Sequence, residues 1–287
     1  MASVKEIRAQ ITSAQNIRRI THTMEMVATS RMRRAQSRMA ATRPYCERLK
    51  AVAGHLAQAH SEYPHPFLVP RATIRRAGII LITSDKGLCG GLNANAQRLT
   101  LSQVKQWGEQ GITVDICAIG AKGFQFAKRA GLAVRAHQAG LGETPHIDQL
   151  IGPLTVMLNA YREGEIDALY LCYARFVSAL RQEAQMEPLL PLGGQRLDTP
   201  ARHWDYLYEP DARSVLDLLL ERYVETLIFQ AVAENMASEQ ASRMVAMRAA
   251  TENADDMIGA LRLLYNKSRQ AAITKELSEI VSGAAAV

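Results

Sequence analysis

The chain has 287 residues, of which 48% are hydrophobic, 6% aromatic and 22% charged, and its formal net charge is +6. This length allows one or two domains, and the apolar content is ordinary for a chain that buries a core. The four cysteines lack a CxxC pair or a nearby histidine pairing, which argues against a zinc site or a disulfide framework and favours reduced thiols.

No segment resembles a membrane span, because the longest apolar run, residues 77–82, is far shorter than the roughly 20 residues required. No apolar segment follows the basic residues Lys5 and Arg8, so we expect no secretory signal. The opening is Arg-rich and amphipathic like a mitochondrial transit peptide, but Glu6 and Glu25 argue against that alternative.

Helical periodicity opens the chain, from Ser3 to about His60, and we expect this helix to end near Ser61. Pro44 is expected to kink or interrupt it, because proline removes a backbone donor and clashes with the preceding turn. The apolar residues that recur three or four apart are Val4, Ile7, Ile11, Ala14, Ile17, Ile20, Met24 and Val27.

An alternation of strands and helices follows, which predicts an α/β domain with a mostly parallel, Rossmann-like sheet. The run AGIILIT is typical of a strand that is buried on both faces. The predicted strands are 77–83, 112–120, 132–137 and 167–176, with a possible edge strand at 184–190, and the predicted helices are 95–110, 121–130 and 147–163.

The last quarter of the chain predicts one very long helix, because residues 211–282 contain no proline and only one glycine, Gly259. At 1.5 Å per residue such a helix is about 105 Å long, far more than a compact domain of this size can cover. We therefore expect the two terminal helices to pair antiparallel as a coiled coil. The apolar spacing of the first helix averages below 3.6 residues, which favours a left-handed wrap.

The basic charge is concentrated in the first helix: residues 1–50 contain 11 Lys or Arg and 3 Glu, a balance of +8, so the remaining residues sum to −2. Such a stripe attracts acidic protein loops, an anionic membrane surface or nucleic acid. A coiled-coil protein that binds nucleic acid is therefore one alternative function, and a solvated helix face is the simplest structural explanation.

The loop SDKGLCGGLN, residues 84–93, lies between a predicted strand and a predicted helix, where phosphate-binding loops occur in α/β folds. This position makes a nucleotide-using enzyme a second alternative function. The loop matches neither GxGxxG nor GxxxxGK[ST], which argues against that alternative. We expect instead a structural glycine turn. Gly87, Gly90 and Gly91 would allow positive φ or close approach of the backbone, and Cys89 would be a structural thiol.

No constellation typical of catalysis or metal binding stands out, so we expect no catalytic residue, metal or cofactor. The seven histidines are scattered, and the acidic pair Asp255 and Asp256 fits a solvated helix face. The aromatic segment 203–210 is unusual in a chain with few rings, and it suggests either an interface or packing beneath the long helix.

Three long segments together resemble one family, the γ subunit of the bacterial rotary, proton-driven ATP synthase. They are residues 7–36 (IRAQITSAQNIRRITHTMEMVATSRMRRAQ), the loop 84–93, and the closing stretches 237–258 and 265–286. The resemblance runs from end to end and includes the domain order. The chain also lacks the regulatory cysteine insert of chloroplast versions.

The resemblance implies a non-catalytic central stalk, one copy per complex, whose coiled coil stands inside a hexamer of α and β subunits. Its α/β foot would rest on the membrane ring of c subunits beside the ε subunit, peripheral to the cytoplasmic side of a bacterial inner membrane. Nucleic acid would not be a partner. The corresponding domains are 1–61, 74–200 and 211–287.

The resemblance also carries residue roles to matching positions. Contacts with β subunits fall on Met24, Arg31, Arg33 and Arg34 near the base, and on Arg269, Gln270 and Thr274 higher up. Contacts with the ring and ε fall on Tyr206, Tyr208 and Glu209. The sequence departs from the family at His22 and Thr23, where a basic residue and alanine are common.

Overall fold

A computed structural model describes residues 4–59, 65–192 and 212–284. It divides into two compact units, one formed by Thr29–Ser242 and the other by Met1–Ala28 with Arg243–Val287. We call these the sheet unit and the helix-pair unit. The predicted domain boundaries, 1–61, 74–200 and 211–287, follow secondary structure rather than compactness, and they stay a prediction.

The elements alternate between helices and strands in the middle of the chain. The helices are α1 (Val4–Ala59), α2 (Leu92–Glu109), α3 (Ala121–Arg129), α4 (Asp148–Arg162) and α5 (Ala212–Ala284). The strands are β1 (Arg76–Ile82), β2 (Thr113–Ile119), β3 (Ala133–Gln138), β4 (Ala168–Phe176) and β5 (Gln182–Leu190).

The strands form one five-stranded sheet in the order β3-β2-β1-β4-β5. The pairs β1–β2, β1–β4 and β2–β3 are parallel, and only β4–β5 is antiparallel. This confirms the predicted mostly parallel α/β fold between two long helices. All four parallel strands therefore end at one edge of the sheet, which we call the carboxyl edge.

The sheet unit has three layers, because β1 alternates its side chains between two cores. Ile79 and Leu81 pack with Ala96, Trp107 and other residues of α2 and α3. Ile80 and Ile82 pack on the opposite face, with α4, α1 and α5. Burial of both sheet faces explains why β1 is a continuous apolar run rather than an alternating one.

Of the kink or interruption expected at Pro44, the interruption does not occur, because α1 is continuous from Val4 to Ala59. The segment that follows the proline is anchored, because Cys46 and Ala53 are buried in the core shared with α4 and α5. Tertiary packing of this kind routinely outweighs local propensity.

The linker before β1 is fastened to the start of β4 by Asp167. Its carboxylate accepts the backbone N–H groups of Arg75 (2.8 Å) and Arg76 (3.0 Å) and pairs with Arg71 (3.0 Å). Burial opposes ionisation, but these three donors outweigh it and lower the pKa of Asp167.

In the helix-pair unit, α1 and α5 run antiparallel. The hydroxyls of Thr21 and Thr251 lie 2.7 Å apart, and Arg18 pairs with Asp255. A lower residue number on α1 therefore pairs with a higher residue number on α5. The buried residues of α1 here include Ile7, Ala14 and Ala28, which are separated by multiples of seven, and those of α5 include Met247, Thr251, Ala254 and Ile258. A seven-residue repeat is the pattern of a left-handed coiled coil.

Candidate functional site

The glycine loop, residues 84–93, lies at the carboxyl edge and is closed by its own hydrogen bonds. The backbone N–H of Ser84 donates to Asn93 Oδ1 (3.1 Å), and Asn93 Nδ2 donates to the Ser84 hydroxyl (2.7 Å). That hydroxyl in turn donates to the carbonyl of Lys86 (2.6 Å). These groups already have partners, so they are not poised to receive a phosphate.

The backbone of this loop is left-handed at Leu88 and Gly90, with φ of 63° and 57°. Gly91 has φ −85°, which other residues adopt readily, and a side chain at Gly87 would meet open space. Among the three glycines, therefore, Gly90 is the one whose positive φ favours glycine over other residues.

Cys89 is buried, with 2% of its surface exposed, and its thiol lies 3.3 Å from Asn93 Nδ2. Its carbonyl accepts a hydrogen bond from the hydroxyl of Ser242 in α5 (2.6 Å). The position of Cys89 thus serves the internal geometry of the loop and its attachment to the long helix.

A row of polar side chains on α5 bonds to the backbone of the carboxyl edge. Ser238 donates to the carbonyl of Ala174 (2.8 Å), and Asn235 Oδ1 accepts from the N–H of the same residue (3.1 Å). Glu234 accepts from the N–H of Phe176 (3.0 Å). With Ser242, these residues form what we call the docking row.

The docking row bonds to β4 beyond the point where the pairing of β4 with β1 ends. On this side β4 pairs with β1 only as far as Cys172, while its remaining residues stay paired with β5 on the other side. Helix α5 supplies the donors and acceptors that a neighbouring strand would have supplied to Ala174. Asn235 and Ser238 are buried, so these bonds fix the helix against the sheet.

Replacing Asn235 with alanine should destabilise the chain by about 1–3 kcal/mol, because the buried N–H of Ala174 would lose its acceptor. The matched control is Asn253→Ala, since Asn253 is exposed on α5 and alanine favours helix. Urea unfolding followed by circular dichroism measures both. Equal midpoints for the two variants would contradict the assignment of the docking row.

A cavity of about 290 Å³ lies beside this row in the sheet unit, with Glu47, Glu187 and Glu234 in its lining. Burial, together with the nearby carboxylates of Glu234 and Glu187, raises the pKa of Tyr173, which also lines it, so the phenol stays neutral. No Lys or Arg lines the described cavity. It would therefore repel the phosphates of a nucleotide.

The described residues contain no group of three or more His, Cys, Asp or Glu that could hold a metal ion. Across the same ranges, no helix is both long enough and apolar enough to cross a membrane.

The basic residues predicted as partner contacts differ in their surroundings. Arg31 Nη2 lies 2.6 Å from Glu143 Oε1, and Arg38 donates to the carbonyl of Glu143. Arg33 and Arg34 are exposed and pair with no carboxylate in the described part of the sheet unit.

The other predicted contact residues lie in the helix-pair unit or outside the described chain. Met24 is half-buried. Arg269, Gln270 and Thr274 are all exposed on α5. Tyr206, Tyr208 and Glu209 fall outside the described residues.

The helix-pair unit exposes large apolar side chains in addition to its buried seam. Ile17 and Ile20 of α1 are 51% and 57% exposed, and Leu263 and Ile280 of α5 are 74% and 68% exposed. Ile17 and Ile20 are three positions apart and share one face of α1, and exposed apolar groups that adjoin in this way mark surfaces that contact other molecules.

Comparison with known proteins identifies the family. The family model described as ATP synthase matches residues 3–287. The chain is 58% identical to the ATP synthase gamma chain of Azoarcus sp. (strain BH72) and 57% identical to that of Thiobacillus denitrificans (strain ATCC 25259 / T1), with each comparison covering 100% of both chains.

Solved structures show the same fold at low sequence identity. A chain from the Euglena gracilis mitochondrial ATP synthase (OSCP/F1/c-ring, rotational state 3) has a TM-score of 0.68 at 17% identity, covering 99% of this chain and 94% of that chain. A rotor chain of the same enzyme has a TM-score of 0.65 at 18% identity, covering 94% and 98%. Because the family model matches residues 3–287 and the two relatives above are 58% and 57% identical over their full length, the chain belongs to the ATP synthase gamma chain family.

Proposed function

We propose that this chain is the central-stalk shaft of a bacterial ATP synthase. It transmits the proton-driven rotation of a membrane ring of c subunits to the β subunits, where ATP is made or hydrolysed. Each angular position of the shaft makes different contacts with each β subunit, and this difference in contact energy shifts that subunit between conformations. The chain itself carries no catalytic residue in this proposal.

The observation that carries this proposal is the antiparallel helix pair with apolar side chains on its outer surface. A helix pair that acted alone would place such residues in its seam and polar residues outside. Here Ile17, Ile20 and Leu263 remain exposed although the seam beside them is filled. A surrounding hexamer of α and β subunits would cover them.

The proposal assigns partners to the predicted residues. Met24, Arg31, Arg33 and Arg34 would meet acidic loops at the base of β, and Arg269, Gln270 and Thr274 would engage the catalytic subunits higher up. Tyr206, Tyr208 and Glu209 would face the ring and ε. The chain would be peripheral to the cytoplasmic side of the inner membrane, with domains 1–61, 74–200 and 211–287.

The nucleic-acid alternative is less well supported by the charges. Three arginines of the basic helix already have partners within the chain: Arg18 pairs with Asp255, and Arg31 and Arg38 bond to Glu143. Each pairing reduces the charge that is available to a phosphate backbone.

The test is a pull-down of the tagged chain from its host's membranes in mild detergent, with partners identified by mass and ATPase activity assayed. We expect α, β, ε and the ring subunits, with ATPase activity. Recovery of the chain alone, or with nucleic acid that is lost steeply as salt rises, would overturn the proposal.

A further inference from the structure

Two arginines of α1 converge on Glu143, a residue of the loop between β3 and α4. Arg31 pairs with its carboxylate at 2.6 Å, and Arg38 donates to its backbone carbonyl. The two arginines are seven positions apart, so they lie on one face of the helix, about 10.5 Å apart along its axis. One residue of the α/β domain therefore holds two turns of α1.

The loop that carries Glu143, residues 139–147, is anchored on both sides of the contact. Leu141 is buried in the core formed by α1, α4, α5 and the sheet. The backbone N–H of His146 donates to Gln149 Oε1 (3.2 Å) at the start of α4. The loop is thus held in place by contacts other than those that Glu143 makes with Arg31 and Arg38.

Asp85 joins this loop to the glycine loop. Its carboxylate accepts the N–H of Gly140 (2.9 Å) with one oxygen and the N–H of Ala121 (2.9 Å) with the other. Asp85 lies four residues before Cys89, whose carbonyl accepts the hydroxyl of Ser242 in α5. Polar contacts joined by two short stretches of chain, residues 85–89 and 140–143, therefore connect α5, through Asp85, to α1.

We propose that Asp85 and Glu143 are positioning residues of a clamp that fastens the α/β domain to both long helices. The clamp consists of Arg31, Arg38, Asp85, Glu143 and Ser242. It keeps the domain from turning on the helices when torque passes between them. This inference rests on the proposed shaft function.

The clamp also divides the basic residues of α1 by role. The carboxylate of Glu143 holds Arg31, so in this inference Arg31 serves the attachment of the domain in place of the β contact proposed for it above. Arg33 and Arg34, which pair with no carboxylate in the described residues, are the two presented to an acidic partner.

A structural arm of the test uses hydrogen exchange of the full-length chain. Glu143→Arg should speed exchange of the amides of residues 139–147 by up to roughly fivefold, the upper end of the effect of losing an exposed ion pair. The swap Glu143→Arg with Arg31→Glu restores the pair and should return exchange to near the wild-type rate. Unchanged exchange in Glu143→Arg, or no recovery in the swap, would overturn the clamp.

A functional arm uses the complete complex in vesicles, with ATP hydrolysis and ATP-driven proton pumping measured on the same sample. Glu143→Arg and the milder Glu143→Gln should lower the pumping obtained per ATP hydrolysed, and the swap should restore it. A pair with 36% and 51% of its side chains exposed adds little to folding, so the melting temperature should fall by no more than about 3 °C.

Two controls separate the possible failures. Glu109→Gln removes an exposed glutamate of α2 and should leave both exchange and pumping unchanged. Arg33→Gln with Arg34→Gln should leave exchange of 139–147 unchanged. Faster exchange in Glu143→Arg with an unaltered pumping ratio would overturn the torque role, whereas failure of the wild-type chain to assemble would overturn the shaft function itself.

Discussion

Replacing Gly120 with alanine should destabilise the sheet unit by about 3 kcal/mol or more, which lowers the melting temperature of a chain this long by roughly 6–12 °C. Gly120 lies between β2 and α3 with φ 100° and ψ 140°, a conformation that L side chains rarely adopt. A Cβ there would lie 2.2 Å from the carbonyl oxygen of Thr83.

The collision at Gly120 cannot be relieved by a small local shift. The carbonyl belongs to backbone whose N–H bonds to Ile119 (2.8 Å), and the N–H of Gly120 itself donates to Gln138 (2.7 Å). Moving either segment would break hydrogen bonds that join β1, β2 and β3 at the carboxyl edge. Backbone strain and overpacking therefore add to each other.

The control for this prediction is the same substitution in α2. Gly108 has open space where a Cβ would be added, so Gly108→Ala should stabilise the chain by about 0.5–1 kcal/mol through helix propensity. Thermal unfolding followed by circular dichroism measures both variants. Similar melting temperatures for Gly120→Ala and Gly108→Ala would contradict the steric account.

The sheet could be predicted from sequence because its signal is local. The buried run at β1 and the alternation of apolar segments with amphipathic ones identify each strand to within two residues at either end, and parallel pairing follows from the helices between the strands.

Pro44 shows the limit of local reasoning. Its cost to α1 is real, but the packing of Cys46 and Ala53 depends on distant elements that no local window contains.

The docking row could not be predicted in the same way, because its partners are backbone groups far away in sequence. Asn235, Ser238 and Ser242 recur three or four apart within the apolar stripe of α5, and this spacing is the one signal that sequence offers. Glu143 gives no such signal, since an isolated loop glutamate is ordinary. Its importance appears only when the fold brings it to Arg31 and Arg38.

Apolar periodicity overestimated the seam of the helix pair. Ile17, Ile20 and Val27 follow the helical spacing of α1 but are exposed, while Ile7, Ala14 and Ala28 are buried. Spacing of three or four residues identifies an apolar face that is wider than one partner helix can cover. The seven-residue subset identifies the seam, and the excess is the surface that we assign to other subunits.

A proline at Met247 should unfold much of the helix-pair unit, at a cost of about 3 kcal/mol or more. Met247 is buried in the seam of α5, and Thr251, one turn later, donates its hydroxyl to the Met247 carbonyl and contacts Thr21 of α1. Proline would remove one helical hydrogen bond and force the preceding turn outward, which separates the seam on both sides. Met247→Leu, which conserves volume, should cost less than about 1.5 kcal/mol.

Removing residues 281–287 should have a far smaller effect, because Val281 is 66% exposed and Ser282 is exposed too. The helical signal in circular dichroism should drop on heating at a clearly lower temperature in Met247→Pro than in the truncated chain. In the assembled complex, Met247→Pro should abolish proton-coupled ATP synthesis while the truncated chain retains it. Equal synthesis by the two variants would mean that continuity of α5 is not what transmits the torque, because a broken helix cannot carry a twist that an intact one carries.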